Sequence, residues 1–378
     1  MSTATATFVD VHRTRRWRAF DSQLLLYVVL LIGFGVVMGY SATYQAIGGV
    51  DGLSQTVKTL IWAGIGLTLF FVAASIDYHW LQTFATPIYV VVLGLLTATA
   101  MVGTNLFGAQ MSITIAGLDF QFSEISKVLM IVVLATFLSS RGERIGRLST
   151  IVGAGLLMVL PTFLVFRQPD LGTALVFVAI LIGMLFMSGA SIGWLALLSG
   201  AAVALAPVAV GALQEYQRQR LFCFMNPSTD AQGACYQLVQ ALNAVGSGGL
   251  LGHGLTAGRQ NQLGFLPVQS TDFIFTVLAE ELGFVGGMVL LALFALLLWR
   301  VLRIGWVARD SLGMAIAAGM GSMLLFQITV NIGMVTGIMP VTGIPLPFIT
   351  YGGSSMISLL FGLGILQSVR MHAWKPTF

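Results

Sequence analysis

Asp272 has the setting that most clearly suggests chemistry in this chain of 378 residues. It stands in Ser270-Thr271-Asp272-Phe273, where a polar stretch gives way to an apolar run that predicts a helix. A carboxylate placed there can accept a proton from a substrate hydroxyl or hold a divalent cation. Ser, Thr and Asp also favour helix N-termini, where their oxygens accept hydrogen bonds from free backbone N–H groups. The sequence leaves both interpretations open, and they do not exclude each other.

Ionisable residues inside apolar runs form a second group of candidates. Glu124 and Lys127 are three residues apart, and Glu280 and Glu281 lie two to three turns beyond Asp272. Charged groups are rare inside membranes and are by default candidates for a functional site. We predict substrate-binding roles for Glu124, Lys127 and Glu281. The alternatives are a structural salt bridge between Glu124 and Lys127 and a polar pair between Glu281 and Lys127.

Three arginines form a third group, namely Arg167, Arg218 and Arg220. Planar guanidinium groups suit the oxygens of phosphates, which they bind through two parallel hydrogen bonds. The topology that the charges predict places all three at the same membrane face as Asp272. We therefore predict that they bind an anionic pyrophosphate headgroup. The alternative is that they extend along apolar surface to reach ordinary lipid headgroups.

Glycines are concentrated in the polar stretch that precedes Asp272. The run Gly246-Ser247-Gly248-Gly249 predicts tight turns and a close approach of backbone to a ligand, with Gly248 as a candidate binding residue. The run 252–257 matches the letters of a dinucleotide-binding fingerprint. No predicted strand precedes it and no βαβ unit surrounds it, so we reject that interpretation.

Four further residues have structural rather than chemical interpretations. Gln327 and Asn331 are four residues apart on a predicted span and are typical of polar contacts between membrane helices. Cys223 and Cys235 are the only cysteines, and in an oxidising compartment they could form a disulfide. The sequence leaves open whether they do, and two thiols alone lack the spacing of a zinc site.

The elements that position these residues follow from composition. Hydrophobic residues make up 57% of the chain and charged residues only 8%, whereas a soluble domain carries about 25% charged residues. Apolar runs long enough to cross a bilayer of about 30 Å predict helices, because lipid cannot satisfy exposed backbone groups. The predicted spans are 24–41, 57–75, 86–103, 124–139, 148–166, 171–189, 191–213, 273–299, 311–335 and 351–369.

Basic residues orient this bundle, because cytoplasmic segments are rich in Lys and Arg. Of the 18 Lys and Arg residues, those that fall on one side are Arg13, Arg15, Arg16, Arg18, Arg141, Arg144, Arg147, Arg300, Arg303, Arg309, Arg370 and Lys375. The sequence therefore predicts an all-α polytopic membrane protein with about ten transmembrane helices and both termini in the cytoplasm. One long extracytoplasmic loop, 214–271, joins helices 7 and 8.

The predicted organisation is a single membrane domain with short ends. Residues 1–23 form a basic cytoplasmic segment, 24–370 the membrane domain and 371–378 a cytoplasmic tail. The apolar run that follows the first arginines is too long for a cleaved signal and predicts a signal anchor. The excess of positive charge reports this topology, and no nucleic-acid partner is expected.

A series of motifs runs through the second half of the chain in one order. They are Gln168–Thr173, Tyr216–Arg220, Gly246–Leu250, Phe265–Pro267, Thr271–Phe275 with Glu280–Gly283, Asn331–Met334 and Pro340–Ser355. In this order they resemble the SEDS family of shape, elongation, division and sporulation proteins. Gln168 and the run Pro340–Pro345 resemble the elongation branch of that family. Nearer the N-terminus the likeness is weaker, since Met111, Ser112 and Phe122 stand where the family usually has Arg, Trp and Pro.

The resemblance implies an inverting peptidoglycan glycosyltransferase of the bacterial cytoplasmic (inner) membrane. It would polymerise lipid II into β-1,4-linked glycan strands on the extracytoplasmic face and release undecaprenyl pyrophosphate during elongation of a rod-shaped cell. The family's essential aspartate maps to Asp272, as general base and as ligand of a divalent cation, Mg²⁺ or Mn²⁺. No organic cofactor is expected. Ser354, in the last motif, joins the predicted substrate-binding residues.

The resemblance also implies partners. These are lipid II and the undecaprenyl-linked glycan strand, a class B penicillin-binding protein that crosslinks the product, the elongation machinery and membrane lipid. The alternatives are a flippase or other transporter of lipid-linked precursor, a division-type paralogue, and an inactive scaffold that activates its penicillin-binding partner.

Overall fold

The computed structural model describes most of the chain. The described residues are 17–43, 50–102, 104–106, 109–115, 118–211, 213–230, 232–233, 235–258, 260 and 271–373. Predictions that concern Arg13, Arg15, Arg16, Phe265-Leu266-Pro267 and Lys375 lie outside them.

Thirteen helices run through the described residues. They are α1 Ser22–Thr43, α2 Val50–Ser75, α3 His79–Thr83, α4 Ala85–Val102, α5 Phe122–Ser139, α6 Leu148–Arg167, α7 Leu171–Met187, α8 Ile192–Gly211, α9 Glu215–Met225, α10 Tyr236–Ser247, α11 Ile274–Val307, α12 Ser311–Val335 and α13 Gly353–Ala373. Two short 3-10 turns, Gly142–Gly146 and Pro227–Asp230, connect them. The predicted long loop 214–271 is therefore not structureless, because it contains α9 and α10.

The helical fold class is confirmed, with one local difference. Seven helices are long and apolar enough to cross a membrane, and three shorter apolar ones are Ala85–Met101, Leu171–Met187 and Ile192–Ala201. Between α4 and α5 the chain forms a small antiparallel sheet, with strands β1 Thr104–Leu106, β2 Ala109–Ile115 and β3 Leu118–Phe120 in that spatial order. Apolar and polar residues alternate along 110–115, which is the period of a strand and not of a helix. Apart from this sheet, the elements in the described part of the chain are helices.

Close contacts between helices depend on small residues. A Cβ atom on Gly364 of α13 would lie 2.5 Å from the backbone oxygen of Phe70 on α2, so only glycine permits this approach. Membrane helices pack mainly through van der Waals contact, and small residues let their backbones come near each other. Helices α2 and α13 therefore pack closely against each other, and α13 also contacts α5, which bears Glu124 and Lys127.

Hydrogen bonds between loops tie the helices at the end of α11 far from Asp272. Asp310 caps α12 by accepting from the Gly313 N–H at 3.2 Å, and it also accepts from the Tyr78 hydroxyl at 2.6 Å. His79 Nε2 lies 3.1 Å from the second Asp310 oxygen. Burial raises the pKa of Tyr78, and the neighbouring Asp310 carboxylate raises it further. The phenol therefore stays protonated and keeps donating.

Helix α11 is broken at Gly283, whose φ of 63° and ψ of −162° are not helical. Residues 248–254, which we call the inserted loop, fill the break. The backbone N–H groups of His253 and Gly254 donate to the backbone carbonyl oxygens of Glu280 and Glu281 at 3.1 and 2.9 Å. The loop carbonyls at 249 and 250 accept from the N–H groups of 284 and 285 at 2.9 and 3.1 Å. The backbone groups that the break exposes are therefore satisfied, as apolar surroundings require.

We expect the inserted loop to tolerate no side chain at Gly252. Its φ is +73°, and a Cβ atom there would lie 2.2 Å from the Glu281 backbone oxygen. Gly252→Ala should lower the free energy of unfolding by more than the ~1–2 kcal/mol that left-handed backbone alone costs. The thermal midpoint of the purified protein in detergent measures this. Gly246→Ala on α10 is the control, because nothing lies within 4 Å of its Cβ position, and it should unfold at or above the parent temperature.

Candidate active site

Asp272 lies in the turn that leads into α11 and does not cap the helix. The N-cap residue is Phe273, and no side chain makes a capping hydrogen bond there. Within the described residues, the Asp272 carboxylate receives no hydrogen bond at all. The capping interpretation is therefore wrong for this structure, and the carboxylate is free for another task.

Arg220 and Gly343 lie close to the Asp272 carboxylate. A Cβ atom on Gly343 would lie 3.4 Å from Asp272 Oδ2 and 3.8 Å from Arg220 Nη1. The φ of Gly343 is +73°, a backbone conformation that side chains disfavour. The loop 340–350 thus presents backbone without a side chain to a carboxylate and a guanidinium.

Burial raises the pKa of Asp272 above its ordinary value, because removal from water disfavours the charged form. The Arg220 guanidinium lowers the pKa, and the negative charge of Asp170 raises it. A carboxylate with a raised pKa is a stronger base than one in water. The positive charge of Arg220 keeps the ionised form accessible, which suits a group that must accept a proton near neutral pH.

Asp170, between α6 and α7, interacts electrostatically with Asp272 and also with the buried charges of Glu124 and Lys127. Its Oδ1 accepts from the Thr173 N–H at 2.9 Å and so caps α7, and its Oδ2 accepts from Gln121 Nε2 at 3.3 Å. Burial raises its pKa, and the bonds from Thr173 lower it. Among the charges that act on it, Lys127 lowers the pKa and Glu124 raises it. Sequence reasoning quoted Asp170 within a motif but did not assign it to the site.

Glu124 and Lys127 form the predicted salt bridge, with Lys127 Nζ 2.5 Å from Glu124 Oε1. Both side chains are almost completely buried, at 3% and 2% exposure. Glu124 Oε2 makes no hydrogen bond although it is inaccessible to water. A buried carboxylate oxygen without a hydrogen bond lowers the stability of the fold. A ligand that donates a hydrogen bond to this oxygen would therefore bind favourably.

Ser354, at the start of α13, is occupied by a backbone contact. Its Oγ accepts a hydrogen bond at 3.0 Å from the N–H of Gln121. Gln121 therefore joins two site segments, since its side chain donates to Asp170 and its backbone donates to Ser354. The predicted substrate-binding role of Ser354 stays a prediction, and the structure adds a role in holding the start of α5.

The three predicted arginines have different surroundings. Arg218 donates from Nε to the Val210 oxygen at 3.1 Å and from Nη2 to the Gly211 oxygen, so it caps the C-terminus of α8. Arg220 lies beside Asp272, and its guanidinium carbon is 5.7 Å from the ring centre of Tyr216. Arg167 is exposed in the last turn of α6. The structure thus brings only Arg220 to the Asp272 carboxylate.

Of the alternatives left open for Glu281, the structure shows a structural polar contact, and the described partner of Lys127 is Glu124. Glu281 Oε2 accepts from the Ser41 hydroxyl on α1 at 2.5 Å, and Ser41 also accepts from the Thr256 N–H at 3.0 Å. Glu281 thereby holds α1, and through Ser41 the segment around Thr256, to the first half of α11. A substrate-binding role for it stays a prediction.

Gly248 approaches protein backbone and not an open cavity. A Cβ atom on it would lie 2.0 Å from the Ala279 oxygen, because α10 crosses the first half of α11 there. The expected close approach is real, but its described partner is the broken helix. Binding of a ligand by Gly248 is untested.

The two cysteines form a disulfide, Cys223–Cys235, which settles the open question about them. The bond joins α9, which bears Arg220, to the start of α10. In the chain-entropy model a crosslink of this loop length stabilises by about 3 kcal/mol. It therefore limits the freedom of the segment that carries the guanidinium.

The donor set fits a divalent cation only in part. Within the described residues, no three His, Cys, Asp or Glu side chains come together to hold a metal ion. Asp272 offers one carboxylate that receives no hydrogen bond. Mg²⁺ commonly binds one or two carboxylates together with substrate phosphates and water. The residues present therefore fit an ion that arrives with an anionic substrate, and not a dedicated protein cage.

Fold and site together define a polytopic membrane protein with a carboxylate–guanidinium site at one end of its helical bundle. The family model of the FtsW, RodA and SpoVE cell cycle proteins matches residues 22–375. The chain belongs to this family, the SEDS peptidoglycan glycosyltransferases.

Relatives with different names are similar to this chain over nearly its whole length. Peptidoglycan glycosyltransferase MrdB of Escherichia coli K12 is 38% identical over 93% of this chain and 94% of its own. A probable peptidoglycan glycosyltransferase FtsW of Trichlorobacter lovleyi is 36% identical over 94% of each. One chain of a peptidoglycan synthase complex, described as coordinating polymerization and crosslinking, superposes with a TM-score of 0.80 at 31% identity, over 95% of this chain and all of that one.

Proposed function

We propose that this protein polymerises lipid II into β-1,4-linked glycan strands at the extracytoplasmic face of the bacterial inner membrane. The observation that carries the proposal is the Asp272 carboxylate. It is buried, has a raised pKa, caps nothing and lies beside a guanidinium. These are the properties of a general base that acts next to an anion.

The proposed step is a single displacement. The sugar 4-hydroxyl of the acceptor attacks the anomeric carbon of the growing strand as its proton passes to Asp272. The new carbon–oxygen bond forms on the face opposite the bond to phosphate, which breaks with both electrons on the departing pyrophosphate. One such displacement inverts the anomeric carbon. No general acid is needed, because pyrophosphate leaves as a stable anion, and Arg220 offsets its charge. A divalent cation bound at Asp272 would neutralise further charge on the pyrophosphate.

The side of the membrane is proposed on the position of the disulfide. Cys223 and Cys235 are bonded in the segment that carries Arg220. Disulfides form and persist outside the cytoplasm. This supports an extracytoplasmic site. Ten spans and cytoplasmic ends are proposed on the apolar runs and the positions of the basic residues.

For the physiological role we propose elongation, with a class B penicillin-binding protein as the crosslinking partner. The motif Pro340–Pro345 and the glutamine at 168 support the elongation branch. Relatives carry the names MrdB and RodA as well as FtsW, so a division role is the alternative. The similar chain from a synthase complex supports a crosslinking partner.

Polymerisation of purified lipid II by the purified protein tests the proposal. Glycan strands should form with the protein alone or with its class B partner, and undecaprenyl pyrophosphate should be released in step. A lipid II flippase would instead move labelled lipid II between leaflets without making polymer. An inactive scaffold would make none in either setting and would only stimulate crosslinking.

Arg220→Gln should differ from Arg218→Gln in polymerisation. Because Arg220 lowers the pKa of Asp272, its removal should raise that pKa. The rate depends on ionised Asp272, so the acidic limb of the pH–rate profile should move to higher pH. Arg218→Gln should leave that limb in place, since Arg218 binds the Val210 and Gly211 oxygens.

Rates measured with purified lipid II from pH 5 to 9 decide between the two arginines. If both variants shift the limb equally, the guanidinium of Arg220 has no special relation to Asp272. If neither shifts it, the limb does not report Asp272.

A further inference from the structure

Asn331 contacts the backbone of the turn that bears Asp272. It lies on α12 with its side chain fully buried. Its Nδ2 donates to the Asp272 backbone oxygen at 3.1 Å and to the Ile344 backbone oxygen at 2.7 Å. An amide nitrogen has two hydrogens, so both are used. One side chain thus joins the turn that bears the carboxylate to the loop 340–350.

The helix itself does not hold the Asp272 carbonyl. At the start of α11 the Thr276 N–H bonds to the Phe273 oxygen at 2.9 Å, so the first turn is tight and bypasses residue 272. Within the described residues, Asn331 is the donor that satisfies the Asp272 oxygen. Removal of Asn331 would leave a buried carbonyl without a partner and the turn without its anchor.

Thr350 holds the preceding carbonyl from the same loop. Its Oγ1 accepts from the Leu346 N–H at 2.8 Å and donates to the Thr271 oxygen at 3.2 Å. Two consecutive carbonyls, 271 and 272, are thus fixed by side chains of α12 and of the loop 340–350. Gly343, next to Ile344, is the residue whose backbone faces Asp272 Oδ2 and Arg220.

We infer that Asn331 is a positioning residue, which sets where the Asp272 carboxylate lies relative to the loop 340–350 and Arg220. Thr350 supports it at the neighbouring carbonyl. The inference rests on the proposed function, since it assigns Asn331 a part in the same reaction. Asn331 touches neither substrate nor the reacting atoms. Its effect on rate passes through Asp272.

The amide has one orientation that serves this purpose. Asn331 Oδ1 has no hydrogen-bond partner, whereas Nδ2 faces two carbonyl oxygens. Exchange of the two atoms would place an acceptor against two acceptors. Asn331→Leu keeps the approximate size and removes both donations, and Asn331→Asp replaces the donor with an acceptor.

Gln327 offers a matched control one turn earlier on the same helix. It is also a buried amide, with 1% exposure and an oxygen that has no partner. The structure records no bond from it to the turn 271–273. Gln327→Leu therefore removes a buried amide of α12 without touching Asp272.

The first experiment measures polymerisation of lipid II per folded protein. Asn331→Leu should lower kcat by about 100-fold, the effect of displacing a reacting group by about 1 Å, with KM for lipid II changed little. Its acidic pH limb should also move, because the surroundings of Asp272 change.

Thr350→Val should also lower kcat, and Thr350→Ser, which keeps the hydroxyl, should restore it. Gln327→Leu should leave kcat and the pH limb unchanged. Equal losses for Asn331→Leu and Gln327→Leu, or a loss seen only in the yield of folded protein, would overturn the inference.

A second readout needs no enzymatic activity. Asp272→Cys introduces a thiol, and its alkylation rate reports how exposed position 272 is and which charges surround it. The native cysteines do not react, because Cys223 and Cys235 are bonded to each other. Adding Asn331→Leu should change that rate several-fold, and adding Gln327→Leu should not. An unchanged rate with Asn331→Leu contradicts the positioning role. If the parent makes no glycan strands but the alkylation rates differ as stated, the proposed reaction fails while the positioning of residue 272 stands.

Discussion

Asp272→Asn should abolish glycan polymerisation and leave the protein at least as stable as the parent. An amide keeps the size of the side chain but cannot take up a proton. Loss of a general base typically costs about 100- to 10,000-fold in rate. A gel assay of glycan strands made from lipid II resolves a loss of that size.

The stability of Asp272→Asn follows from the sign of the pKa shift. Burial raises the pKa of Asp272, so the ionised form is less favourable in the folded protein than in the unfolded chain. Above the unfolded pKa this charge lowers the free energy of unfolding, and an amide removes the penalty. The thermal midpoint at pH 7 should therefore equal or exceed that of the parent. A near-parental polymerisation rate would move the base elsewhere, with Glu124 and Glu281 as the next candidates.

Lys127→Met should cause the largest loss of stability among the site variants. It leaves the Glu124 carboxylate buried without its cation, and breaking such a pair costs about 3–5 kcal/mol. Yield and thermal midpoint in detergent measure the loss. Glu124→Gln combined with Lys127→Met removes both charges and should recover much of the stability, because a buried pair has little net value over neutral groups of similar size.

Activity of the double variant separates the two interpretations of the pair. If Glu124 and Lys127 only orient α5, recovered folding should bring recovered polymerisation. If they bind substrate, the double variant should fold and stay inactive. Thr136→Val, on the same helix, is the control, since its hydroxyl bonds only its own helix at the Val132 oxygen. It should change neither property.

The sequence predicted what depends on local patterns. The length of apolar runs is a local property, and it placed most helix ends within about four residues of their observed positions. The exceptions are the start of α2, seven residues earlier than predicted, and the end of α11, eight residues later. Asp272 was found because a carboxylate at the start of a buried helix is conspicuous without any tertiary contact. The strand β2 carried a local signal too, the alternation along 110–115, but six residues between two long apolar runs are too short a pattern to stand out.

Tertiary contacts decided the rest. Arg218 and Arg220 are two residues apart in one motif, and only the fold shows that one caps α8 while the other faces Asp272. The partner of Glu281 is Ser41, which lies 240 residues away in the chain. No periodicity marks the break at Gly283, because the groups that satisfy it come from the inserted loop. The sequence predicted only helix–helix contacts for Asn331. Its two acceptors, the backbone oxygens of Asp272 and Ile344, lie in a turn and a loop whose positions cannot be read from the sequence.

The inserted loop has a mechanical consequence for the active site. Through it, both halves of α11 are fastened to the chain that follows α10, because its backbone bonds to residues 280 and 281 before the break and to residues 284 and 285 after it. At the other end of α10, the disulfide fastens α9 and therefore Arg220 to the same stretch of chain. A force applied to the segment between α8 and α11 would therefore act on Arg220 and on both halves of α11 at once. The break at Gly283 would pass that force along the helix and would not act as a hinge.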